Sequence, residues 1–130
     1  MTKKYSLSRG ERLKSVVKTQ KLFLKGKSFK IFPFHVYYRL SNNTEILKNQ
    51  FVISVGKHFF KHAVDRNRMK RLVREAYRKN KQLVYLLSEE KNIFFNVGFV
   101  YKSSSKLDYV EIEKLVIQAL NMLKEKMLEL

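Results

Sequence analysis

Residues 63–78 read Ala63-Val64-Asp65-Arg66-Asn67-Arg68-Met69-Lys70-Arg71-Leu72-Val73-Arg74-Glu75-Ala76-Tyr77-Arg78. Met69, Leu72, Val73, Ala76 and Tyr77 recur at intervals of three and four, the stripe by which a helix faces a core. Asp65 is placed to cap that helix. Wound at about 100° per residue, Asn67, Arg71, Arg74, Arg78 and Lys81 fall within an arc of roughly 80° opposite the stripe. Arg66 and Lys70 lie on one shoulder of the arc and Arg68 on the other. A solvated helix face normally alternates signs to gain i,i+4 pairs, and like charges at that spacing cost stability. Guanidinium forks meet phosphate oxygens in bidentate fashion and also stack on bases, so this face suits a nucleic acid.

The rest of the chain has the same bias. Its 130 residues carry 28 Lys and Arg against 11 Asp and Glu, a formal charge of +17. The excess has two homes: residues 1–30 hold ten basic side chains and one acidic, and residues 57–81, with Lys57 and Lys61 ahead of the helix, hold ten and two. Solubility needs dispersed charge, whereas a polyphosphate needs adjacent cations. The two segments make one binding surface if the fold brings them together. With 45% apolar residues and no Cys, the chain can bury a core but has no disulfide, thiolate zinc site or cysteine nucleophile. No apolar run has signal-peptide or membrane-span length, which excludes a membrane partner and leaves the cytoplasm as the default.

Outward from the basic helix, one Pro and four Gly leave nothing that reads as a linker, so residues 1–130 are expected to form a single domain. Ser8 with Glu11 forms a capping-box pattern and Ser15 is a second N-cap, giving a first helix that stops before Gly26. Lys27 to Phe32 reads as a short strand or lead-in. Ile31–Leu40 and Phe51–Val55 read as strands and are expected to pair as a hairpin. Ile93–Tyr101 is apolar on both parities, as in a central strand. Asp108 with Glu111 caps a long amphipathic last helix. Helix, two or three strands, helix, strand, helix is an α+β order with one sheet packed against helices.

The stretch 63–78 resembles the signature of the bacterial ribonuclease P protein subunit, with its Arg-Asn-Arg element. The likeness extends to Leu13, Leu22, Phe23 and Gly26 upstream, to the strand Phe51 to Lys57, and to the final strand and helix. It implies an αβββαβα fold with one mixed sheet and a left-handed βαβ crossover. It also implies a protein that binds the catalytic ribonuclease P RNA and the 5′ leader of precursor tRNA, assisting endonucleolytic leader removal during tRNA 5′ maturation. The RNA, with magnesium, performs the cut, so no catalytic residue and no metal ligand is expected in the chain. By this resemblance Arg66, Asn67, Arg68, Lys70, Arg71 and Arg74 bind RNA, joined on the basic segment by Arg78, Lys57 and Lys61. Phe23 and Tyr37 line the leader cleft, with Asn67 and Lys70 as polar edges. A holoenzyme dimer is left open. Thr19 stands where the family commonly has a Phe, and His35 or Tyr37 are placed to compensate, pointing together away from a core formed by Phe34, Val36 and Tyr38. Phe59 and Phe60, in a loop one residue longer than usual, are expected to pack beneath the helix start rather than face RNA.

Other readings are weaker. His35, His58 and His62 are the only histidines. His58 and His62 lack the further ligands that zinc requires, and no carboxylate pair is spaced for two metals. A ribosomal or other structural RNA-binding protein without a role in cleavage has the same charge and is the principal alternative. A DNA-binding role is not expected, because a strand and not a helix leads into the basic helix.

Overall fold

The computed structural model describes residues 7, 9–42 and 45–130. After a 3₁₀ turn (Arg9–Glu11), helix α1 runs Val16–Lys25 and is followed by strands β1 (Lys27–Ile31), β2 (Phe34–Ser41) and β3 (Gln50–Val55). Helices α2 (Ala63–Asn80) and α3 (Gln82–Lys91), strand β4 (Phe94–Tyr101) and helix α4 (Tyr109–Leu128) complete the chain. Ser15 starts α1, its side chain accepting from the Lys18 N–H at 3.3 Å. The alternative start at Ser8 lies outside the described residues. Gly26 ends the helix because a Cβ there would meet the Leu22 carbonyl oxygen at 2.3 Å. At α4, Asp108 caps as expected, accepting from the Glu111 N–H at 2.9 Å.

The four strands lie in the order β1-β2-β4-β3, with β3 parallel to β4 and the other pairs antiparallel. The expected hairpin between β2 and β3 is therefore corrected. β2 pairs instead with β1 across the cis Phe32–Pro33 bond, and β4 inserts between β2 and β3. The reason lies in β4 itself, buried almost throughout, which needs a neighbour on either side. The outer edge of β3 is not left bare: Arg12 bridges to Phe51, and the Leu13 N–H donates to the Phe51 carbonyl at 2.9 Å.

One sheet face carries the core. Phe34, Val36 and Tyr38 of β2, Phe51 and Ile53 of β3, and Phe95, Val97, Phe99 and Tyr101 of β4 are buried with Met69, Val73 and Tyr77 of α2 and Ile112, Val116 and Leu120 of α4. The Tyr77 ring stacks on Phe51, centroids 4.2 Å apart and planes within 7°. Each large apolar side chain fully buried in this way contributes about 1.5–3 kcal/mol. Phe60 is in this core and Phe59 packs partly against it, as the sequence predicts.

Two details of α2 differ from expectation. The helix begins at Ala63 with His62 at its N-cap, so Asp65 is not the cap; it lies in the first turn, where a carboxylate still favours the helix dipole, and pairs with Lys106 at 3.1 Å. At the other end the chain turns at Lys81 into α3, an element the sequence pattern does not announce. Lys81 does not extend the outward arc: it is 3% exposed, and its ammonium lies 2.7 Å from the Glu11 carboxylate.

Candidate nucleic-acid interface

Because the segment before α1 runs along β3, it delivers its cations to α2. Arg12 reaches Arg74, and a groove of about 340 Å³ is lined by Arg12, Arg71, Arg74 and Arg78 with Leu7 and Glu75. The two basic halves of the sequence meet here. Arg74 is half-buried, and both its burial and the neighbouring Arg12 pull its pKa below the ordinary arginine value. A guanidinium held among its like without a carboxylate is stabilised by an anion arriving from outside. Glu75 is the one acid in this groove, and it is occupied: Arg78 donates to it from Nε at 3.1 Å and again from Nη2, which holds the Glu75 carboxyl below its usual range.

The remaining cations of the basic helix divide by job. Arg68 and Arg71 are exposed and Lys70 is half-buried, and among the described residues none of the three has an acidic partner. Arg66 is half-buried and donates Nη1 to the carbonyls of Phe60 and Lys61, both at 2.8 Å. It thereby ties the incoming loop to the helix start. Asn67 is exposed on the helix, and Lys57 and Lys61 are exposed on the loop before it.

On the other face of the sheet, α1 crosses above Gly98 of β4. A Cβ at Gly98 would come within 3.1 Å of both the Leu22 and the Phe23 side chains, so glycine is what lets the helix approach. Phe23 leans from α1 against Tyr37 of β2, ring centroids 5.0 Å apart and edge to face. Tyr37 lies over His35 at 4.3 Å, its hydroxyl 3.1 Å from Nδ1. The sequence places His35 and Tyr37 on one side of the strand, and so they are. The Lys102 ammonium is 3.5 Å from the same Nδ1; an ammonium can only donate, so Nδ1 is the acceptor and the ring proton sits on Nε2. Burial, and then Lys102 and Lys30, lower the His35 pKa and keep the ring neutral. The result is a row of three partly exposed rings flanked by cations, the composition that single-stranded nucleic acid prefers. Asn67 and Lys70 share no hydrogen bond or ring contact with this row; they belong to α2, which packs on the opposite sheet face.

Arg12 and Glu11 are the functional and framework residues that sequence reasoning passes over. The charge of residues 1–30 is the only signal for Arg12, and nothing local marks it above its neighbours. Among the described residues no group of three or more His, Asp or Glu side chains lies together, so they offer no ligand set for magnesium or zinc. No helix of the described residues is long and apolar enough to cross a membrane.

Comparison with known proteins agrees with this geometry. Residues 7–124 match the family model for ribonuclease P. The chain belongs to the ribonuclease P protein family. It is 36% identical over 116 residues to the ribonuclease P protein component of Porphyromonas gingivalis strain W83, covering 89% of this chain and 85% of that one. It is 29% identical over 104 residues to the Borrelia hermsii counterpart, covering 80% and 83%. Among solved structures, the Staphylococcus aureus ribonuclease P protein superposes with a TM-score of 0.69 at 25% identity, covering 88% of this chain and 95% of that one. The Thermotoga maritima protein gives 0.65 at 25%, covering 88% and 96%. As a member, the chain is the protein subunit of a ribonucleoprotein that processes precursor tRNA, assisting a cleavage that RNA catalyses.

Proposed function

We propose that the ribonuclease P protein described here grips two RNAs on two faces. The groove of Arg12, Arg71, Arg74 and Arg78, extended along α2 by Arg66, Asn67, Arg68 and Lys70 and on the preceding loop by Lys57 and Lys61, takes the phosphates of the catalytic RNA. Phe23 and Tyr37, with His35 in place of the usual second helix aromatic, hold the 5′ leader of precursor tRNA, and Asn67 and Lys70 supply polar contacts at its margin. Magnesium enters as the RNA's metal, ordered at RNA phosphates. The assembly works in the cytoplasm, and residues 1–130 act as one domain.

The observation that carries this reading is the convergence of four guanidinium groups on one groove that holds a single acid. Adjacent cations neutralise adjacent phosphates and release their counterions, the dominant source of affinity for RNA. The test is reconstitution. Added to ribonuclease P RNA at low magnesium, the protein restores cleavage of precursor tRNA; unchanged activity would make it an RNA scaffold of another kind.

A further inference from the structure

Helix α1 divides its sheet face in two. On the side away from Phe23 and Tyr37 lies a second cavity, of about 270 Å³, between α1, β2, the start of β3 and the segment 45–48. Its floor is Asn96, which pairs across the sheet with Arg39 and Gln50 and is 2% exposed. The Asn96 Oδ1 atom has no hydrogen-bond partner, alone among the buried side-chain polar atoms of the described residues. A buried acceptor left unpaired calls for an explanation, because folding gains nothing for the water it gave up. The walls are apolar, with Val17 on α1 and Leu47 opposite it 73% and 72% exposed at the rim. Glu45 ties Lys21 to Arg39 on one side, accepting from Lys21 at 3.1 Å and from Arg39. Lys18 and Lys48, also at the cavity, have no acidic partner among the described residues.

An acceptor at the floor, aliphatic walls and unpaired ammonium groups at the mouth are complementary to one kind of ligand: a flat ring bearing an amine, attached to a phosphate. The volume lies just under the usual small-molecule range of about 300–1,000 Å³, enough for a single base and too little for two stacked ones. We propose that this cavity is a nucleobase pocket, taking one unpaired nucleotide of bound RNA whose base carries an exocyclic amine. The base lies between Val17 and Leu47, its amine donates to Asn96 Oδ1, and its phosphate meets Lys18 and Lys48. The oxygen is out of reach of water, so the amine meets it after a rotation of the Asn96 amide that no hydrogen bond to that oxygen opposes. The inference rests on the RNA-binding reading above and adds base selection at a place outside the aromatic row.

Titration of the full chain with AMP and with UMP, followed by NMR of side-chain amides and methyl groups, tests it. AMP is expected to move the Asn96 amide and the Val17 and Leu47 methyls saturably, and to bind about tenfold tighter than UMP at those signals, the worth of one hydrogen bond. In Asn96→Leu the preference disappears while the melting temperature holds or rises, since an apolar isostere removes the unpaired acceptor. Equal affinities for AMP and UMP, silence at those signals, or a preference that survives in Asn96→Leu overturns the pocket. The wild-type comparison decides alone if Asn96→Leu does not fold. Cleavage restored in reconstitution without an AMP preference removes the pocket and keeps the subunit's role; an AMP preference without restored cleavage does the reverse.

Discussion

The Lys81 ammonium and the Glu11 carboxylate meet at 2.7 Å, with side chains only 4% and 17% exposed, across seventy residues of sequence. The pair fixes the N-terminal segment to the junction of α2 and α3, and Lys81 also sits 5.3 Å above the Tyr85 ring. Through it the segment carrying Arg12 is held beside Arg74.

Removing one member of such a pair leaves a buried charge without its counterpart. Glu11→Gln is expected to lower unfolding stability by about 3 kcal/mol in urea titration, and Glu11→Gln combined with Lys81→Met to recover most of that loss. A double variant no more stable than the single one would show that the pair contributes nothing specific.

Arg74 should behave in the opposite way. Its guanidinium is half-buried beside Arg12, and both circumstances disfavour its charge. Arg74→Ala therefore leaves the melting temperature unchanged or slightly raised while weakening binding to ribonuclease P RNA by about tenfold, the loss of one charge-assisted phosphate contact. Wild-type affinity, with about six phosphates engaged, falls by about two to three decades between about 50 and 200 mM salt. Filter binding across that range checks both figures; a flat salt response contradicts the basic groove.

The arginine face was legible because both signals for α2, apolar periodicity and one-sided charge, are local. Ser15 and Asp108 as caps, and the shared side of His35 and Tyr37, were legible for the same reason. What the sequence hid was pairing at a distance. Phe51–Val55 looks equally able to pair with β2 or with β4, and only the two-sided burial of β4 decides. Lys81 continues the helical arc by counting, yet Asn80 returns its amide to the Ala76 carbonyl at 2.8 Å and the chain bends, turning Lys81 inward to Glu11. Arg12 was invisible as a site residue because its importance comes from the strand edge that it covers.

His35 makes the aromatic row sensitive to pH. Its pKa lies below the ordinary 6.5, chiefly through burial and then through Lys102 and Lys30. The unfolded chain thus binds this proton more tightly than the folded one. The stability linked to the site is complete above pH 6.5 and is lost as pH falls through the lower folded value. Wild-type protein should accordingly lose more melting temperature than His35→Gln between about pH 7 and about pH 5. Parallel curves for the two proteins would mean that the ring titrates as it does in the unfolded chain.

Gly98 offers a way to disturb the aromatic row without touching a ring or a charge. A methyl group there would stand 3.1 Å from Phe23 Cζ and 3.1 Å from Leu22 Cδ2, tighter than ordinary contact, and two packed side chains cannot both yield. Leu22 is fully buried whereas Phe23 is partly exposed, so Phe23 moves and its edge-to-face contact with Tyr37 is lost. Gly98→Ala is expected to reduce the preference of the reconstituted enzyme for precursor tRNA over mature tRNA by about five- to tenfold, the value of one stacked base. Affinity for ribonuclease P RNA should be unchanged, because the groove of Arg12 and Arg74 lies away from this contact. Equal losses for both RNAs would place the damage in the fold as a whole and remove the aromatic row from leader binding.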